Sequence, residues 1–173
     1  PLAKREKEDY KRFMSVVGKH IVFYSERSGF YKYFEGALEW LLANSDVNIH
    51  YVTSDPNDQV FELQKSKPRL VAYYIGDKRL ITLMMKLDCD VAVMTLDDLE
   101  NFYIKRSYIR KDIEYVYAFH HMTSTHLVSA KEALDHYDTI LCVGPHQKRE
   151  LERAEEMRGL PARNLVECAY DLL

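Results

Sequence analysis

Glycine is scarce in this chain, six residues in 173, and none stands in a G-x-G-x-x-G or G-x-x-x-x-G-K-[ST] arrangement. The two common backbone cradles for nucleotide phosphates are therefore missing. No G-x-S-x-G elbow is present, so a serine nucleophile of the α/β-hydrolase kind is excluded. The three cysteines, Cys89, Cys142 and Cys168, are widely separated, and the last two sit inside apolar runs. They read as reduced core residues, which favours the cytoplasmic side of a membrane. No apolar run approaches the roughly 20 residues that span a bilayer, and the opening residues, Pro1 to Lys7, form no secretory signal. A net charge of −3 gives no global attraction to nucleic acid, and no nucleic-acid-binding motif is present. Low-complexity stretches, internal repeats and linkers are also missing. The start without Met suggests a domain cut from a longer protein.

What is present is an alternation. Short apolar runs rich in Val, Ile and Tyr occur at 20–25, 48–53, 70–75, 90–94, 115–119, 139–143 and 164–169. They do not alternate apolar with polar residues, which predicts strands covered on both faces, that is, a parallel sheet. Helix-like segments lie between them at 30–43, 56–65, 78–86, 127–136 and 146–158. Phe34, Leu38, Leu41 and Leu42 share one face of the first of these, and Glu150, Glu152, Arg153, Glu155 and Glu156 solvate the last. The fold expected is α/β, a Rossmann-like doubly wound and mostly parallel sheet over residues 19–173. Residues 1–18 are expected as an N-terminal helical extension, with Tyr10, Phe13, Met14 and Val17 on one side; it either packs on the domain or belongs to an upstream region.

In such a sheet, residues just past the carboxyl ends of strands line the ligand crevice. One of these ends is unusual: Val116 to Phe119 runs into His120, His121, Met122, Thr123, Ser124, Thr125 and His126, with three histidines and three hydroxyls. His120 is the first candidate for proton exchange with a substrate; the competing reading is that His120 and His121 close a strand end with ordinary hydrogen bonds. A zinc site is disfavoured, because no cysteine pair or H-E-x-x-H spacing accompanies these histidines and adjacent residues in extended chain point to opposite faces.

The other strand ends, Ser25 to Gly29, Thr53 to Asp55, Gly76-Asp77, Thr95 to Asp98 and Gly144 to His146, are polar and hydroxyl-rich. Ser28 and Gly29, just before a helix, either offer N–H groups to an anion or, in the case of Ser28, simply cap the helix. Gly144-Pro145 reads as a turn into a helix that Pro starts, with His146 capping or packing in its first turn. Lys105, Arg106, Arg110 and Lys111 form a basic cluster interleaved with Tyr103 and Tyr108. It either solvates a loop or faces an anionic membrane or polyanion.

Several segments together resemble the amino-terminal half of the CDP-glycerol glycerophosphotransferase family, which includes teichoic-acid primases and polymerases. They are Ile21 to Glu26, Val116 to Thr123, Tyr137 to Gly144 with the helix after it, and Val166 to Asp171. In that family an apolar strand ends in Trp-His-Gly-Thr; here Phe119-His120-His121-Met122 stands in its place, and Ala169-Tyr170 replaces a terminal Gly-Tyr-Pro. The resemblance implies one half of a GT-B architecture, the acceptor-side domain, with the main CDP-glycerol site in a second domain outside this chain. It implies transfer of glycerol phosphate from CDP-glycerol to a lipid-linked or polymeric hydroxyl, with release of CMP. His120 is then the general base, Ser25, Ser28, Gly29, Thr123 and His126 are substrate-side residues, and no cofactor is needed. It also implies peripheral attachment to the inner face of the plasma membrane, helped by Lys105, Arg106, Arg110 and Lys111, with no nucleic-acid partner. The alternatives are a GT-B glycosyltransferase or nucleotide-sugar domain, and a noncatalytic Rossmann-like binding module.

Overall fold

A computed structural model describes residues 1–118 and 132–168. Among these residues the strands form one seven-stranded sheet in the order β3-β2-β1-β4-β5-β6-β7, and every pairing is parallel. The strands are β1 (Lys19–Ser25), β2 (Ile49–Thr53), β3 (Leu70–Tyr74), β4 (Cys89–Met94), β5 (Glu114–Ala118), β6 (Thr139–Cys142) and β7 (Asn164–Glu167). Each falls on one of the apolar runs, because a strand buried on both faces needs an unbroken apolar stretch; β7, an edge strand, departs from that expectation, with Asn164, Val166 and Glu167 exposed.

Among the described residues there are five α-helices: α1 (Leu2–Ser15), α2 (Tyr31–Asn44), α3 (Val60–Leu63), α4 (Asp77–Met85) and α5 (Pro145–Arg158). Two buried layers result. On one face α2 and α3 bring Tyr31, Phe34, Leu38 and Val60 onto Phe23, Tyr51, Ala72 and Val93. On the other, Phe13 of α1, Leu80, Leu83 and Met84 of α4 and Leu151 of α5 cover Val22, Val52, Tyr73, Ala92, Tyr117 and Ile140. This is the doubly wound arrangement.

Local signals place the last helix well. Pro145 occupies its first turn, where a missing N–H costs nothing, and Gly159 ends it in the left-handed region at φ 63. The expected helix at 56–65 is shorter, four α-helical residues followed by a 3-10 turn at Gln64–Ser66. Of the segment expected at 127–136, only Glu132 to His136 are described, as turns.

The amino-terminal helix is an integral layer of the domain. Phe13 has no exposed surface and meets Tyr73 edge-on at 5.2 Å between ring centroids. Its polar side chains face β3, the edge strand of the sheet. Asp9 Oδ2 accepts from the Tyr74 N–H at 2.8 Å, Glu6 Oε1 from the Gly76 N–H at 2.9 Å, and the Arg12 guanidinium donates to the Ala72 carbonyl at 2.8 Å. Gln64 takes the Ala72 N–H at 2.9 Å. An open edge is a template for unwanted strand pairing, and here side chains occupy its backbone groups. Gly76 lies so close to Glu6 that a Cβ would stand 2.9 Å from Oε1.

Candidate functional site

The strand order reverses between β1 and β4. From β1 the chain winds outward through β2 to β3, and from β4 it winds the other way through β5, β6 and β7. The loops leaving the carboxyl ends of β1 and β4 separate at this point and leave a crevice, where open α/β sheets bind ligands. Register fixes the neighbours: Tyr24 pairs with Met94, Met94 with Tyr117 and Ser25 with Thr53. Continuing one residue past Met94 puts Thr95 between Ser25 and Ala118. The ends of β1, β4 and β5 thus share one edge.

Two carboxylates occupy the crevice loops. Asp97, after β4, accepts a 2.5 Å hydrogen bond from the Tyr117 hydroxyl of β5. Glu26, after β1, has its pKa raised, first by burial and then by the Asp97 charge, with Asp77 adding to the effect and Arg27 opposing it. Burial with these charges nearby also drives the Tyr117 and Tyr137 phenols far above their ordinary value, so both stay protonated donors. The Tyr137 hydroxyl donates to the Leu96 carbonyl in the same loop. Beside them, Ser54 Oγ donates its single proton to the Ile75 carbonyl at 2.8 Å, so Tyr24 is the donor in its own 2.8 Å contact with Ser54. The phenols have their single protons committed within the fold, so the groups on this edge that suit a ligand are the carboxylates, which accept from hydroxyls. Their charge opposes a phosphate set directly against them.

The residues singled out from sequence fare differently. Ser25 is fully buried, its Oγ donating to the Arg27 carbonyl at 2.6 Å and its carbonyl accepting from Ser54 N–H at 3.1 Å. It shapes the turn out of β1. The Ser28 N–H points to Asp55 Oδ2 at 3.3 Å, and Ser28 Oγ accepts from the Gln59 N–H at 3.1 Å. Ser28 therefore caps the entry to α3 rather than α2, and an anion arriving at its amide would meet the Asp55 carboxylate already there. Gly29 stands in the 3-10 turn Ser28–Phe30, with open space where a Cβ would be. His120, Thr123 and His126 lie outside the described residues, as does His121. The strand that leads to them ends at Ala118 on the crevice edge.

The basic cluster is at the other end of the sheet. Arg106 donates to Asp138 at 3.0 Å and to the carbonyls of His136 and Ile113, all just before β5 and β6 begin. Arg110 is shared among Asp88, Asp90 and Asp112 at the entry to β4 and β5. Lys105 donates to the Glu100 carbonyl and Lys111 to the Ser107 carbonyl at 3.5 Å, so neither meets a carboxylate in these contacts. A cleft of about 260 Å³ lies among Glu100, Arg106, Ser107, Tyr108, Arg110 and Lys111. Four cations adjacent in sequence thus resolve into two guanidiniums held in ion pairs within the fold and two lysines. None of them shares the edge that carries Ser25, Glu26 and Asp97.

Glu26, Thr95, Asp97 and Tyr117 were not singled out by sequence. Three of them stand in polar strand-end loops, where position past a strand was the available signal. The Tyr117–Asp97 contact joins residues 20 apart and needs the sheet register to be seen. Among the described residues, no group of three His, Cys, Asp or Glu side chains is placed to hold a metal ion, and no helix is long and apolar enough to cross a membrane. Comparison with protein-family models, curated proteins and solved structures finds no match to this chain.

Proposed function

We propose that this chain is the acceptor-side, amino-terminal domain of a GT-B transferase that moves glycerol phosphate from CDP-glycerol to a hydroxyl of a lipid-linked or polymeric acceptor. The observation that carries the reading is the shared crevice edge. β5 ends at Ala118 beside the β1–β4 switch point, two residues before His120. The carboxylates already on that edge are partners for the hydroxyls of an acceptor. A division of labour follows, with the acceptor on this domain and the donor phosphates on cationic or backbone N–H groups elsewhere in the full protein.

In the reaction the acceptor oxygen forms a bond to the glycerol-bearing phosphorus while the P–O bond to CMP breaks, and CMP departs with the bonding pair. The acceptor proton goes to the neutral imidazole of His120, a base whose ordinary pKa suits neutral pH. The non-bridging oxygens carry the charge that the transition state spreads, and fixed donors must meet it. Peripheral attachment to the inner membrane face belongs to the same proposal. Its electrostatic part narrows to Lys105 and Lys111.

The test is a CMP-release assay on the full-length protein with CDP-glycerol and a glycerol-phosphate-primed acceptor. Acceptor-dependent CMP release supports the reading. Release of a nucleoside diphosphate from a nucleotide sugar, with CDP-glycerol left intact, overturns it in favour of glycosyl transfer.

A further inference from the structure

Three hydroxyls stand side by side where β2, β1 and β4 reach the crevice edge. All three are fully buried: Thr53, Ser25 and Thr95. Thr53 Oγ1 donates to Asp58 at 2.7 Å and Ser25 Oγ to the Arg27 carbonyl at 2.6 Å. Thr95 Oγ1 has no hydrogen-bond partner among the described residues. A buried hydroxyl left without a partner is destabilising relative to an apolar group of the same shape, so one that persists calls for an explanation. Here the orphan sits at the switch point, one residue past the β4 partner of both Tyr24 and Tyr117, in the place the crevice rule assigns to a ligand.

We propose that Thr95 is a substrate-contacting residue: when the loops after β1 and β4 part to admit the acceptor, its Oγ1, buried in the free protein, hydrogen-bonds a hydroxyl of the polyol unit. The inference rests on the transferase reading above and adds to it the residue that recognises the acceptor. Thr95 suits the task because a hydroxyl both donates and accepts, as does the polyol hydroxyl it meets. The neighbouring Asp97, held by Tyr117, and the half-buried Glu26 supply acceptors for further polyol hydroxyls. The specificity follows from the orphan itself. An acceptor lacking the matching hydroxyl leaves Thr95 unpartnered in the complex as well and forgoes the gain of one hydrogen bond.

The experiment compares wild type, Thr95→Val and Thr95→Ser in the full-length protein. Thermal unfolding reports the fold, and calorimetric binding of glycerol 3-phosphate and of a soluble glycerol-phosphate oligomer, well below each variant's Tm, reports recognition. Thr95→Val removes the hydroxyl and keeps the shape. It is expected to keep or raise Tm while weakening oligomer binding roughly tenfold, the scale of one lost neutral hydrogen bond. Thr95→Ser keeps the hydroxyl and is expected to bind within about twofold of wild type, a change well under the scale of one hydrogen bond. If wild type binds the oligomer and Thr95→Val binds it equally well, the proposal falls and the transferase reading stands. A wild type that binds neither probe overturns both.

Discussion

The Tyr117 hydroxyl donates to Asp97 Oδ1 across 2.5 Å, tying the β4 loop to β5 where the sheet's strand order reverses. Tyr117 is 1% exposed, so the carboxylate's partner is a phenol that cannot be replaced by bulk water without opening the core. Replacing it with phenylalanine leaves Asp97 short of a charged-group hydrogen bond. Tyr117→Phe is expected to lower the unfolding free energy by about 1.5–3 kcal/mol. Urea denaturation measures this, and an unchanged midpoint and slope would show that the contact does not hold the loop.

His50 gives the domain a pH dependence of its own. It is 5% exposed, lies 2.9 Å from the Tyr73 hydroxyl and 6.5 Å between centroids from Phe13. Burial first, then the Lys19 and Arg12 charges, push its pKa down to about 4 from 6.5. The folded state therefore resists a proton that the unfolded chain accepts. Its contribution is complete above pH 6.5 and is lost as pH falls toward 4, a change on the order of 3 kcal/mol. Unfolding free energies measured in steps from pH 7.5 to 4.5 should show this slope in wild type and a shallower one in His50→Gln. Parallel slopes for the two proteins would remove His50 from the account.

The α1–β3 contact predicts behaviour that an appended helix would not show. Asp9→Ala leaves the Tyr74 N–H of the edge strand without its acceptor and should cost about 1–3 kcal/mol. Phe13→Ala empties a fully buried position and should cost about 3–5 kcal/mol. Because both losses open the sheet edge, the variants should also self-associate more than wild type on size-exclusion chromatography. Monomers of wild-type stability in both cases would mean that α1 is an accessory segment.

The sheet was legible in the sequence because its signal is local. Ile49 to Thr53 or Cys89 to Met94 need only their own apolar run to be recognised as buried strands. α1 was legible as a helix and its Phe13 as part of an apolar face, but nothing in the sequence assigned partners to Glu6, Asp9 and Arg12. Charged residues spaced for solvent look identical to charged residues spaced for an open strand edge. Ser28 was ambiguous for a related reason, since its partners Asp55 and Gln59 are supplied by the loop after β2. The partners of the basic cluster were not legible, because charge counted along the chain omits the acids that the fold brings up: Asp88 and Asp90 for Arg110, Asp138 for Arg106. No composition signal marks Asp98 and Glu100, which hold positive φ of 64 and 72 without being glycine.

That division among the four cations is testable on membranes. Vesicle sedimentation with anionic lipid should show Lys105→Gln/Lys111→Gln losing binding that also fades as salt rises. Arg106→Gln/Arg110→Gln should instead lower Tm with little change in sedimentation, because those charges are committed to Asp138 and to Asp88, Asp90 and Asp112. Equal loss of vesicle binding in both pairs would mean that the arginines serve the membrane as well as the fold.

The most direct measurement of the central claim is turnover of the full-length protein carrying His120→Ala, followed as CMP release from CDP-glycerol with an acceptor present. His120 acting as the general base predicts a fall of about 100-fold or more with Tm unchanged, against a much smaller effect of His121→Ala. Turnover within a few-fold of wild type in the folded His120 variant would contradict the assignment of His120 as the base that deprotonates the acceptor.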